Sequence, residues 1–305
     1  MISLIKKIIK KIFFKLGGWE YIERNLVLEG IRNSKLNIKK DKINTLSEVE
    51  FSVFSQWGED GIIDWLISKM PNIKKVFLEI GTQDYKESNT RFLLIKNNWT
   101  GYLIDSNKED IEKIKKQRIY WKYDVNAFNY LVTKENINSI LNKMKIPKNI
   151  GILSIDIDGN DYWILKSIKN LEADIIICEY NSILGNKHQL TINYKADFDR
   201  TKFHYSNLAF GASIQAFIKL LKKNYIFIGT SSNGVNAFFL KKNKFMSLSK
   251  NIKIKKIFNS KTRESRDKKG RKSFISGKKR LTKIQEKNFY QINIRKNIKL
   301  KSLKI

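Results

Sequence analysis

Four short apolar runs, each carrying a carboxylate at or near its end, constrain this chain more than any other feature. They are Val76-Phe-Leu-Glu-Ile-Gly81, Gly101-Tyr-Leu-Ile-Asp105, Ile150-Gly-Ile-Leu-Ser-Ile-Asp156 and Asp174-Ile-Ile-Ile-Cys-Glu179. Runs this short and this apolar suit strands buried on both faces of a parallel sheet, and such sheets bind ligands in a crevice outside the carboxyl ends of their strands. Gly81 at the first turn lets the backbone come close to a ligand. Asp105, ending the next strand, is placed to accept hydrogen bonds from ribose hydroxyls. The pattern predicts a nucleoside-cofactor site.

What the first turn lacks narrows the cofactor. A dinucleotide site needs Gly-x-Gly-x-x-Gly so that a helix N-terminus can meet the pyrophosphate. Here only Gly81 is present, followed by Thr82-Gln83-Asp84-Tyr85, and Asp84 and Glu87 would repel a pyrophosphate. S-adenosylmethionine carries a sulfonium and an ammonium and no phosphate, so a turn edged with acids favours this methyl donor over NAD.

At 305 residues, with 42% apolar and 12% aromatic residues, the chain can bury one sizeable α/β core. Its only cysteine, Cys178, sits inside an apolar run, which excludes a disulfide framework and a zinc-finger spacing. No apolar run approaches the roughly 18 residues that a membrane span needs, and the N-terminus lacks the unbroken apolar core of a secretory signal. A cytoplasmic location is expected. The formal charge of +31 is concentrated from Lys241 onward, where 24 Lys and Arg face three acids. This bias reads first as a solvated, partly disordered extension, with binding of RNA, anionic lipid or an acidic glycan as the other reading.

The periodicities predict three regions. Residues 1–50 hold an amphipathic helix, Ile2 to Leu16, with Ile2, Ile5, Ile8, Ile9, Ile12, Phe13 and Leu16 on one face and lysines on the other, then a second helix from Tyr21 to Ile31. The first helix suits either the inner face of a membrane, as a peripheral contact, or packing on the domain or a second subunit in a homo-oligomer. Residues 51–242 read as a doubly wound, seven-stranded, mostly parallel Rossmann-like sheet. Its strands are expected at 75–80, 101–105, 119–124, 150–156, 174–179, 225–229 and 237–240, the last two joined as a hairpin through Thr230-Ser-Ser-Asn-Gly234. Residues 243–305 read as a basic tail without regular structure.

Ser154-Ile-Asp-Ile-Asp-Gly-Asn-Asp161 places Asp156, Asp158 and Asp161 at the end of the central strand, and Glu179 ends its neighbour. Oxygen ligands grouped this way can hold Mg²⁺ or a similar divalent cation, with Asp156, Asp158 and Glu179 as the metal set. One carboxylate can otherwise serve as a general base, and Asp161 can cap the following helix. Between Tyr180 and Ala212 lies a long aperiodic segment of the kind that forms lids. It contains His188 and His204, of which His204 is the preferred candidate base.

Taken together, Ser55-Gln-Trp-Gly-Glu-Asp-Gly61, Phe77-Leu-Glu-Ile-Gly81, Glu87-Ser-Asn-Thr90, Trp99-Thr-Gly-Tyr-Leu-Ile-Asp105, Ser154 to Asp161, Glu179-Tyr-Asn-Ser182 and Gly234-Val-Asn-Ala-Phe-Phe239 resemble the FkbM-type family of class I S-adenosylmethionine-dependent methyltransferases, in its bacterial surface-polysaccharide branch. The resemblance covers Phe51 to Leu240. It implies O-methylation of a hydroxyl, commonly of a sugar; for such a reaction Asp156, Asp158 and His204, with Glu179 in support, are the expected catalytic groups. It also implies a cofactor site of Gln56, Glu79, Gly81, Thr82, Asn89, Thr90, Asp105 and Asp124, with the methionine moiety near Glu79 and Gly81, the ribose at Asp105 and the adenine near Asp124. The chain departs from many methyltransferases at Thr82-Gln83-Asp84, where they keep further glycines. Two other readings stand beside this one: a catalytically silent scaffold of the same fold, and an RNA methyltransferase that grips nucleic acid with the basic tail.

Overall fold

The computed structural model describes residues 18–242, 248 and 250–303. The amphipathic stretch Ile2 to Leu16 lies outside the described residues. The apolar runs form strands β1 (Val76–Ile80), β2 (Thr100–Asp105), β3 (Val125–Asn129), β4 (Asn149–Ile155) and β5 (Glu172–Glu179), all mutually parallel where they pair. A two-residue strand β6 (Leu190–Thr191) follows, then the hairpin β7 (Tyr225–Thr230) and β8 (Asn236–Lys241). The large sheet runs in the order β3-β2-β1-β4-β5-β8-β7, with β8 antiparallel to both neighbours. This is the expected seven-stranded, mostly parallel, doubly wound sheet. Its order reverses between β1 and β4, the switch point where such sheets open a crevice.

Alternation along each strand feeds two cores. Phe77 joins Trp65, Leu103 and Ile152 on one face of the sheet. Leu78 and Ile80 join Leu153, Tyr162 and Phe217 on the other. Full burial of side chains this large stabilises by about 1.5–3 kcal/mol each, which fixes the register and hence the strand ends. Cys178 is buried and free in the second core. Among the described residues no helix is long and apolar enough to cross a membrane.

Three expectations are corrected. The third strand is not 119–124. Residues Arg118–Lys122 make a helical turn that buries Ile119, and β3 begins at Val125, whose side chain together with Ala127 enters the core. The second N-terminal helix is longer than 21–31, spanning Gly18–Ile38. The basic segment is not simply a solvated tail. Its helix Lys278–Ile284 precedes β9 (Asn288–Gln291) and β10 (Lys296–Lys299), which form a small sheet with β6 in the order β10-β9-β6. Ile284, Phe289 and Leu300 pack there against Leu184, Leu190 and Leu208 of the long segment after β5. Apolar residues spaced singly among lysines bury themselves while the ammonium groups stay in water, so no period announces the structure.

Candidate functional site

A cleft of about 820 Å³ opens at the carboxyl ends of the parallel strands, within the size range of small-molecule and cofactor sites. One half is built by the ends of β1, β2 and β3; the other by the ends of β4 and β5, the long segment after them, and residues 260–280.

In the first half Gly81 has φ +89°, and a Cβ there would collide with the carbonyl oxygen of Asp156, the residue after β4. Its glycine identity is therefore set by the close approach of the two strand ends. Two residues on, Gln83 adopts φ +47°, the left-handed conformation that a second glycine would take without strain. Asp105 holds it there: its Oδ2 accepts from the Gln83 amide at 2.8 Å, and its Oδ1 accepts from the Asn107 amide at 2.8 Å. The turn thus keeps the geometry of a glycine-rich loop without the glycine. Asp105 faces the cleft with acceptor capacity remaining for hydroxyl groups.

Glu79 also lines the cleft, but its carboxylate is already occupied. It accepts from Ser88 Oγ at 2.7 Å, from the Asn89 amide at 3.1 Å and from Thr90 Oγ1, so it braces the loop that leads into the helix Arg91–Asn97. Desolvation outweighs these hydrogen bonds and keeps its pKa raised. Asn89 reaches the cleft, whereas Thr82 and Thr90 are buried and are not part of its lining. Gln56 lines the cleft and hydrogen-bonds Glu87. The acids after it are structural. Asp60 Oδ2 accepts from the amides of Val53, Phe54 and Ser55, and Glu59 bridges Gly58 to Asn236. Asp84 turns aside and pairs with Lys86.

Asp124 does not reach the site. It precedes β3, at the opposite edge of the sheet from the cleft, where its carbonyl accepts from Gly101 at 2.8 Å and its carboxylate from the Thr100 hydroxyl at 2.6 Å. The carboxyl end of β3 delivers Tyr130, Leu131 and Val132 to the cleft instead.

In the second half the strand ends bring Asp156, Asp158 and Glu179 together, with one carboxylate oxygen from each lying within 4.8 Å of the others. Desolvation first, then the charges of Asp158 and Asp161, hold Asp156 well above the usual carboxylate range, although Glu179 hydrogen-bonds it. Desolvation and the charges of Asp156, Asp158 and Asp161 do the same to Glu179, whose Oε2 is buried without a hydrogen-bond partner. Asp158 occupies a left-handed conformation, φ +57°. Asp161 is not the cap of the helix Asp161–Ser167 but its first residue; it reaches back to the amides of Ile157 and Gly159, each at 2.9 Å. Desolvation pushes its carboxyl up to about 6 against those bonds.

Among the described residues the one cation set into this group is Arg200, which pairs with Asp158 and lies 3.7 Å from Glu264. Sequence reasoning missed it because an arginine in an aperiodic, lysine-rich loop carries no signal. His204 ends the short helix Arg200–Phe203, hydrogen-bonds Ser206 Oγ through Nδ1 at 2.7 Å and is absent from the cleft lining. The geometry gives it no contact with the acid cluster. Asn181 closes the base of the long segment, donating to the carbonyls of Leu208 and Phe210 at 3.0 Å each.

No family model matches the chain, and no curated protein matches it. Solved structures resemble it at low identity. The N-terminal domain of EvdMO1 with SAH bound is 8% identical with a TM-score of 0.40, the match spanning 62% of this chain and 82% of that one. The O-methyltransferase from Bacillus cereus in complex with SAH is 12% identical with a TM-score of 0.38, over 71% and 89%. The plantazolicin methyltransferase BamL is 17% identical with a TM-score of 0.35, over 71% and 72%. At these values the fold assignment rests on the strand order and pairing themselves.

Proposed function

We propose that this chain is an S-adenosylmethionine-dependent O-methyltransferase acting on a hydroxyl of a sugar or glycan precursor, in keeping with its FkbM-type sequence resemblance. One observation carries the reading: a single cleft at the switch point sets the turn Gly81–Gln83, pinned by Asp105, on one side and the Asp156, Asp158 and Glu179 cluster on the other. The residues of the first side fit this cofactor. Glu79, Asp105 and Asp110 give that side a negative lining, which suits a ligand with two positive charges and no phosphate. When bound, the cofactor supplies a methyl group on a positively charged sulfur, ready for in-line displacement.

The chain's own residues would then position the acceptor hydroxyl in line with that methyl group and take up the proton that the hydroxyl gives up. Holding the hydroxyl in line contributes most, since alignment of two reactants removes the largest part of such a barrier. A carboxylate of the Asp156–Glu179 pair receives the proton, a contribution of about 10²–10⁴ in rate. The same cluster fits a hard divalent cation, because its oxygens converge within 4.8 Å and Glu179 Oε2 has no partner of its own. Such an ion would be held by Asp156, Asp158 and Glu179 and would lower the proton affinity of the acceptor hydroxyl.

Calorimetric titration with S-adenosylhomocysteine tests the reading. Saturable binding that Asp105→Ala weakens at least tenfold is expected. A folded protein that does not bind would overturn the proposal and leave a silent scaffold of the same fold.

A further inference from the structure

The acceptor side of the cleft contains positive charge that the methyl-transfer chemistry does not use. Arg280 lines the cleft and is only 7% exposed, yet no carboxylate pairs with it among the described residues. Its two terminal nitrogens make only neutral and long contacts, 3.2 Å to the Ser260 carbonyl and 3.3 Å to Thr262 Oγ1, and its Nε has no partner. A buried guanidinium normally has an acid beside it, because desolvation of a charge is costly. Here desolvation lowers its pKa with no opposing acid. Arg263, next to Thr262, lines the same wall. Its Nε donates to the Phe274 carbonyl at 3.1 Å, and it too pairs with no acid among the described residues. The nearby Glu264 does not serve either of them, since it faces Arg200 and Arg266.

This wall is held rigidly against the sheet. Phe258 N donates to Thr230 Oγ1 at 3.0 Å, Tyr180 donates its hydroxyl to the Phe258 carbonyl, and Ser260 N donates to Ser182 Oγ at 2.9 Å. Gly234, at φ +71°, has no room for a side chain because the backbone of residues 258–260 lies over it. The arginines are thus built into the cleft, on the half that also holds the Asp156, Asp158 and Glu179 cluster, whose one paired cation among the described residues is Arg200.

We propose that Arg280 and Arg263 form an oxyanion subsite that takes a phosphate group carried by the sugar acceptor. Guanidinium forks match phosphate oxygens in geometry and charge. The subsite rests on the methyltransferase reading, of which it names the substrate class. The phosphate belongs either to the nucleoside diphosphate of a nucleotide-linked sugar or to a sugar phosphate.

The test is calorimetric titration at about 0.15 M salt, where long-range attraction to a basic surface is screened. Protein saturated with S-adenosylhomocysteine is titrated with uridine diphosphate, glucose 1-phosphate and glucose. Either phosphate probe should bind at least tenfold more tightly than glucose, and the tighter of the two identifies the source. Arg263→Gln, an exposed position that spares the fold, should weaken that probe at least fivefold, and Arg280→Met more. Lys116→Gln, a distant surface change, should not alter it. Equal binding of all three probes, no effect of Arg263→Gln, or an equal effect of Lys116→Gln would overturn the subsite. If S-adenosylhomocysteine itself fails to bind, the methyltransferase reading fails, and titration of the unloaded protein with uridine diphosphate still decides the subsite.

Discussion

The carbonyl of Asp156 lies against the α-carbon of Gly81, so closely that a side chain on Gly81 would begin 2.7 Å from the Asp156 carbonyl carbon and nearer still to its oxygen. The amide of Asp156 completes the join by donating to the Ile80 carbonyl at 2.9 Å. The Gly81 turn and the acid cluster are therefore joined through backbone, and disturbance of either strand end is felt in both.

Gly81→Ala should destabilise the protein by about 2–4 kcal/mol, since it combines a positive φ with a collision against backbone that has no rotamer to escape into. Binding of S-adenosylhomocysteine should fall with it. Chemical denaturation together with calorimetry checks both, and a stability within about 0.5 kcal/mol of the parent would show that the two strand ends can separate.

Asp156→Asn and Glu179→Gln should each lower turnover by about 10²–10⁴ while changing the affinity for S-adenosylhomocysteine less than about threefold, because the proposed reaction puts proton removal and cofactor binding on opposite sides of the cleft. Turnover measured with EDTA and then with added Mg²⁺ separates the two ways in which the cluster can act. Loss and recovery identify a cation, and indifference identifies a carboxylate base.

Asp124→Ala and His204→Ala should leave turnover within about twofold of the parent. Asp124 sits at the far edge of the sheet and His204 bonds to Ser206, so neither reaches the cleft. A tenfold loss in either, with stability unchanged, would require a different arrangement of the long segment.

The buried acids also predict a pH profile. Asp60 is pushed up to about 7 and Asp161 to about 6, chiefly by desolvation, while Asp156 and Glu179 move in the same direction. A carboxyl whose folded pKa is raised holds a proton that the unfolded chain has released. Its contribution is fully present below the ordinary pKa of about 4 and is lost as pH rises to the folded value. For Asp161 alone this is on the order of 3 kcal/mol. His204 has the opposite sign, since desolvation, Lys287 and Lys283 lower its pKa, but it is one partly exposed imidazole against four carboxyls. The melting temperature should therefore fall between pH 5 and pH 7.5, and Glu179→Gln should flatten the slope. A profile that rises over this range would contradict the protonation states inferred for the cluster.

How much of this was legible in the sequence depended on where each signal lived. Strand ends were legible because burial on two faces writes an uninterrupted apolar run, and a carboxylate that stops such a run has few places to go; Asp105, Asp156 and Glu179 were found in this way. Asp124 was misplaced because Ile119-Tyr-Trp121 reads as well in a strand as in the helical turn that it forms, and the error of one element moved a carboxylate from one edge of the sheet to the other. Arg263 and Arg280 were invisible for another reason. Their importance lies in which neighbours they lack, and no local pattern records a missing carboxylate in a chain so rich in basic residues. Gln83 shows a third limit: the missing glycine implied a weakened turn, while the compensating bond to Asp105 spans 22 residues.

The wall made by residues 258–280 gives the molecule a division of labour along its length. Everything that would hold the methyl donor is written before residue 135, and the surface that would choose the acceptor is completed by some of the last residues of the chain. A ribosome that has finished all seven strands of the large sheet has made the half proposed for the donor but not yet the wall proposed to select the acceptor. Exchange of the final sixty residues between related chains would, by the same token, hand one reaction a different substrate without touching the chemistry that drives it.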